Sequence, residues 1–143
     1  MSLPSKLTLE VITPEKLLIK DEVDEVYLPG KLGYLGILPG HRPLLSLLGI
    51  GELHYKKGKI SKYLSIFWGF VEVLPDRVIV LAHKGEKAEE IDVTRAEDAK
   101  KRAEEIIQRA MRGQVSPADL NKALIKLQKA LTRIKVYKRY HGN

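Results

Sequence analysis

Leu7, Leu9 and Val11 alternate with polar residues up to the turn Thr13-Pro14-Glu15, and Val26 and Leu28 alternate again before Pro29-Gly30. Side chains two apart share one face of a strand, so each run presents an apolar face to a core. Further along, Leu53 to Lys56 and Ile60 to Ile66 flank Lys57-Gly58-Lys59, and Phe70 to Leu74 and Val78 to Ala82 flank Pro75-Asp76-Arg77. Each pair predicts a β-hairpin. Short strands punctuated every 8 to 12 residues by Gly or Pro predict a sandwich or flattened barrel over residues 1–86.

The period changes at Ile91. From Val93 the small and apolar positions fall at Ala96, Ala99, Ala103, Ile106, Ile107, Ala110 and Met111, the three-and-four spacing of one helix face. Asp92 is placed to cap this helix, and Thr94 with Glu97 forms a capping-box pattern one turn in. Gly113 stops it, and Ser116-Pro117 starts a second helix with Ser116 as cap. In the second, Leu120, Ala123, Leu124, Leu127, Ala130, Leu131 and Ile134 predict an apolar seam. The expected architecture is an all-β N-terminal sandwich followed by an α-helical hairpin over residues 87–143. A two-helix unit with one seam buries little surface, so movement of the hairpin relative to the sandwich is a physical expectation.

Composition narrows the chemistry. The 143 residues contain no cysteine, which excludes disulfides, a thiolate nucleophile and Cys-ligated metal centres. The most apolar stretch, Pro43 to Ile50, is far short of a membrane span, and the N-terminus has no apolar signal-peptide block. The formal net charge of +7 is unevenly placed: residues 1–84 carry 11 basic and 9 acidic side chains, residues 85–143 carry 14 and 9. Between Pro117 and Tyr140 seven basic residues face Asp119 alone. A cationic element of this kind suits an acidic partner, and equally a solvated helix face.

Three constellations stand out. The Gly-Pro-rich run from Leu28 to His41, in which rings and glycines fix a backbone path, reads either as a turn-rich connection or as a rigid docking loop presenting Tyr34 and His41. Asp92, Arg95 and Arg102 at the first helix's start read as a cap with surface ion pairs, or as an anion site in which guanidinium groups grip phosphate. Lys122, Lys126, Lys129 and Arg133 recur at four, three and four residues and form a basic stripe offset from the seam. His41, His54, His83 and His141 are scattered, without the close spacing of a metal motif.

The chain resembles the epsilon subunit of bacterial F-type ATP synthases. Leu9-Glu10-Val11-Ile12-Thr13-Pro14-Glu15, Gly36-Ile37-Leu38-Pro39-Gly40-His41-Arg42-Pro43-Leu44-Leu45, Gly69-Phe70-Val71-Glu72-Val73 and Ala88-Glu89-Glu90-Ile91-Asp92-Val93-Thr94-Arg95-Ala96 carry the likeness in order along nearly the whole chain. The resemblance implies a non-catalytic rotor subunit on the cytoplasmic face of the bacterial membrane, touching the membrane only through its complex. It implies a sandwich that binds the gamma subunit and the c-subunit ring, with Lys31, Tyr34, His41 and Arg42 in the docking loop. It also implies a hairpin that extends towards the alpha and beta subunits and inhibits ATP hydrolysis, with Lys122, Lys126, Lys129 and Arg133 against an acidic segment of beta. No cofactor is required, but some members bind regulatory ATP, and Glu86, Ile91, Asp92, Arg95, Ala96, Arg102, Lys129 and Arg133 match that site. Lys129 stands where strong binders can have Arg, and Tyr34 where many members have an acidic residue.

Two other readings compete. A nucleic-acid-binding protein would lay the basic helix on phosphates, but that helix has no interleaved aromatic residue before Tyr137 and Tyr140. A small hydrolase would need an acid–base pair or nucleophile constellation, and none is visible.

Overall fold

The computed structural model describes residues 3–142. Seven strands form the front of the chain: β1 (Leu7–Ile12), β2 (Leu17–Val23), β3 (Glu25–Gly30), β4 (Gly33–Ile37), β5 (Leu44–Lys57), β6 (Ile60–Leu74) and β7 (Arg77–Lys87). Their order is β2-β1-β7-β6-β5-β3-β4, with β1 parallel to β7 and every other pair antiparallel. The sheet closes over Leu7, Leu9, Val11, Leu28, Leu53, Ile66, Val71 and Val80, all buried, which confirms the sandwich expected from the alternating pattern.

The two longest strands change face partway along. On β6 the core positions are Leu64 and Ile66 on one side and Val71 and Val73 on the other, an odd step apart; β5 (Leu48 to Leu53) does the same. The change falls on one row, Gly49, Trp68 and His83, where the ladders skip a rung between Leu48–Gly69 and Ile50–Phe67 and between Gly69–Ala82 and Phe67–Lys84. Trp68 has φ 59°, a left-handed conformation that costs a non-glycine residue about 1–3 kcal/mol. Its neighbour Gly69 has φ 141°, and a Cβ there would lie 2.1 Å from the Leu81 carbonyl oxygen. This crease explains why Ile60–Ile66 and Phe70–Leu74, expected as separate strands, are one. Two strands went unanticipated: β2, whose apolar residues do not alternate cleanly, and β4, formed inside the Gly-Pro-rich run.

A single 3-10 turn, Ala88–Glu90, leads to α1 (Val93–Met111) and α2 (Pro117–Tyr140). Asp92 accepts from the Arg95 N–H at 3.1 Å and Ser116 from the Asp119 N–H at 3.1 Å, so both expected caps form. Thr94 and Glu97 lie inside α1, past the cap. Gly113, at φ 72°, turns the chain between the helices. Ala96 and Ala103 of α1 and Ala123, Ala130 and Ile134 of α2 are buried, and small side chains on packed helices let the backbones approach closely.

The expected seam needs correction. Leu124 and Leu131 are 46% and 45% exposed, because α2 gives the sheet a different flank, with Lys129, Thr132, Arg133 and Val136. The basic stripe is therefore partly turned inward. Val136 closes a second small core with Ala88 and Ile91, against which Tyr63 and Tyr137 pack.

Candidate functional site

The end of β7, the start of α1 and the middle of α2 enclose a cleft of about 530 Å3. Its walls include Glu86, Asp92, Arg95, Ala96, Arg102, Lys129 and Arg133, so seven of the eight residues expected around a nucleotide face one space. Ile91 does not: it is buried in the small core with Ala88 and Val136. Lys84, Glu90 and Lys126 also line the cleft and were not anticipated as nucleotide contacts. For Lys84 the usable signal was its parity with Glu86, since residues two apart on β7 share a face.

Six cationic and three acidic side chains line this space. The acids are committed. Glu86 Oε1 accepts from Arg133 Nε at 2.6 Å and from the Ser65 hydroxyl at 3.3 Å. Glu90 accepts from the Lys87 N–H at 3.0 Å and from Lys16 Nζ at 3.1 Å; burial opposes its ionisation, but these partners outweigh it and hold the carboxyl below its usual range. Asp92 is the α1 cap, leaving Arg95 and Arg102 exposed on the cleft's rim. Lys129 holds its ammonium 4.7 Å from the Trp68 ring centroid, and Arg133 its guanidinium 4.7 Å from that of Phe67. Burial, then the like charges of Arg133, Lys84 and Lys126, lower the Lys129 pKa. An anion entering the cleft meets a surplus of positive charge beside the N-terminus of α1.

The stripe on α2 divides. Lys129 and Arg133 are engaged with the sandwich, while Lys126 and Lys122 are exposed, the latter beside the inter-helix link.

The four docking-loop residues have different local settings. Lys31 lies in the turn after β3 and borders a groove with Trp68. Tyr34 is largely exposed, yet its hydroxyl accepts from the Glu52 N–H at 3.0 Å. Burial, the largest influence, raises its pKa. His41 and Arg42 lie beyond Gly40, whose N–H donates to the Pro75 carbonyl at 2.7 Å. Behind Tyr34, the Glu52 carboxylate is only 6% exposed, and its Oε2 has Arg139 Nε at 3.4 Å as a charge partner without a hydrogen bond.

A larger surface was missed. Leu45, Leu47, Phe70 and Leu81 are all exposed on the outward side of β5, β6 and β7, beyond the crease from α2. Leu47 pairs with Phe70 and Phe70 with Leu81, so they form one contiguous patch, the kind of surface that marks a protein interface. The sequence signal was apolar residues at both parities of these strands. No helix among the described residues is long and apolar enough to cross a membrane.

Comparison with known proteins agrees with this two-part build. The family model for the β-sandwich domain of the ATP synthase delta/epsilon chain matches residues 6–88, and that for its long α-helix domain matches residues 89–138. The ATP synthase epsilon chain of Herpetosiphon aurantiacus is 47% identical over 132 residues, covering 92% of this chain and 94% of its own. That of Koribacter versatilis is 56% identical over 99 residues, covering 69% and 70%. A chain in the cryo-EM structure of the Euglena gracilis mitochondrial ATP synthase has the same fold, with TM-score 0.79 at 21% identity over 92% of this chain and 81% of that one. A β-sandwich carrying a two-helix hairpin, matched over residues 6–138 by the two domain models in turn, belongs to the ATP synthase epsilon-chain family.

Proposed function

We propose that the chain is a non-catalytic central-stalk subunit whose hairpin regulates ATP hydrolysis and carries a regulatory ATP site. The observation that carries this reading is the cleft: β7, α1 and α2 each supply walls, so it exists only while the hairpin is folded on the sandwich. A ligand that binds only the folded arrangement shifts the equilibrium towards it. Arg95, Arg102, Lys129 and Arg133 supply the phosphate contacts, and Asp92 positions Arg95 by capping α1.

The division of the basic stripe fits the same mechanism. Lys129 and Arg133 become available to an acidic segment of the beta subunit only after leaving Trp68, Phe67 and Glu86, whereas Lys122 and Lys126 are available in both states. The folded hairpin thus stores half of its own inhibitory surface. The apolar patch of Leu45, Leu47, Phe70 and Leu81 is the surface we assign to the gamma subunit, with the β3–β4 turn towards the c-subunit ring and the complex holding the protein peripherally at the cytoplasmic face of the membrane.

The test is ATPase activity of the reconstituted complex with the full chain and with a chain truncated after Ala88, alongside calorimetric titration of the isolated chain with ATP. Regulation predicts faster hydrolysis with the truncated chain; equal activities remove it. No heat at millimolar ATP removes the nucleotide site.

A further inference from the structure

Trp68 belongs to two surfaces at once. On one side its ring lies under the Lys129 ammonium of α2. On the other it lines a groove of about 480 Å3 with Lys31, Leu47, Gly49, Phe70 and His83, continuous through Leu47 and Phe70 with the apolar patch. It sits on the crease row, in the left-handed conformation, with no rung to Gly49 or His83. A strained residue at a boundary persists only where its surroundings hold it, and here the hairpin is one of the holders.

The Lys129 contact depends on this ring. The neighbouring charges Arg133, Lys84 and Lys126 all repel the ammonium, and Glu86, the nearby acid, is bonded to Arg133. Phe67 is farther from the ammonium, at 5.6 Å. Trp68 is still 39% exposed and lines the groove, so a partner seated there would remove water from it. A cation held over an aromatic face is bound more strongly when water is excluded.

We infer that the crease groove seats an apolar side chain of the stalk partner covering the β5–β7 face, and that by dehydrating Trp68 this partner tightens the hold on Lys129 and on the folded hairpin. The inference rests on the reading of that face as the stalk-docking surface. The groove's apolar floor is continuous with that face, and Lys31 and His83 on its rim suit an apolar segment flanked by a carboxylate. Two remote surfaces are then linked through one side chain, and the linkage is reciprocal: a folded hairpin favours partner docking by the same factor.

Trp68 is the single tryptophan of the chain, so its fluorescence reports on this residue alone. The experiment adds purified gamma subunit to the full chain and follows tryptophan emission, if necessary with gamma lacking tryptophan, together with amide hydrogen exchange in α2. The expected result is a blue shift and exchange around Lys129 slowed several-fold. With Lys129→Met the blue shift persists and the added protection is lost. Binding without a blue shift, or with α2 exchange unchanged in the native chain, overturns the inference and leaves the docking surface standing. Absence of any binding overturns both.

Discussion

Arg133 on α2 donates through Nε to Glu86 Oε1 on β7 across 2.6 Å, joining the hairpin to the sandwich at the edge of the cleft. Both side chains are roughly three-quarters buried, at 23% and 25% exposure. Losing one partner leaves the other a partly desolvated charge, and partial solvent access keeps the cost below that of a fully buried pair. Arg133→Met is expected to weaken hairpin docking by about 1–2 kcal/mol, a roughly 5- to 30-fold rise in hydrogen exchange along α2. Adding Glu86→Gln should cost little more, since the two residues act as a pair. Fully additive losses would refute the coupling.

The crease gives a prediction about the sheet itself. A methyl group at Gly69 would meet the Leu81 carbonyl oxygen at 2.1 Å, and its φ of 141° is one that other residues rarely adopt. Gly69→Ala must therefore move backbone in both β6 and β7. A loss of about 3 kcal/mol or more is expected, seen as a large fall in the urea midpoint or failure to fold. Gly58→Ala is the control: its φ is also positive, but nothing lies within 4 Å, so only conformational strain of about 1 kcal/mol applies.

These two residues show which parts of the fold were legible in the sequence. Alternation gave the strand faces because each sheet face is uniformly buried or exposed over several residues, and Asp92, Gly113 and Ser116-Pro117 gave the helix ends because caps are local chemistry. The crease was not legible. Its signature is an odd step between buried positions on β5 and β6 at once, and an apolar run such as Ile66-Phe67-Trp68-Gly69-Phe70 conceals a change of parity. The face of α2 was misjudged for a related reason. Leu124 and Leu131 satisfy a helical period, but which flank meets the sheet depends on Glu86, Phe67 and Trp68 lying opposite Arg133 and Lys129, a tertiary relation with no local trace. The cleft was gathered in advance through resemblance; spacing alone joined only Asp92, Arg95 and Arg102.

His54 makes the stability of the folded chain sensitive to pH. Its ring is stacked between Tyr27 at 4.7 Å and Tyr63 at 5.2 Å, beneath the last turn of α2. Burial holds its pKa below the ordinary 6.5; Lys56 and Arg139 push the same way, and Glu52 and Glu25 oppose them. The fold thus favours the neutral imidazole. The stability this contributes is fully present above pH 6.5 and is lost as pH falls from there through the lowered folded-state value. Urea midpoints are expected to drop between pH 7.5 and 5.5, and His54→Gln should flatten that part of the profile. An unchanged slope in the variant would assign the effect to other groups.

Lys129→Arg tests the anion chemistry of the cleft. The Lys129 ammonium is a point charge held over Trp68 with its ionisation disfavoured by burial and by Arg133, Lys84 and Lys126. A guanidinium would stay charged in the same place, stack equally well on the indole, and present a planar pair of donors to a phosphate. It is also more weakly hydrated than an ammonium, so it loses less on entering a half-buried wall. One added charge-assisted hydrogen bond in a solvent-accessible cleft is worth about 1 kcal/mol, so ATP affinity should rise roughly three- to tenfold in calorimetric titration. Arg102→Ala, which removes a rim cation outside the sandwich contacts, should lower affinity by a similar factor while leaving the urea midpoint of the free chain in place. A gain for neither adenosine nor ATP with Lys129→Arg would detach Lys129 from the ligand, whereas an equal gain for both would place its contact on the base instead of the phosphates.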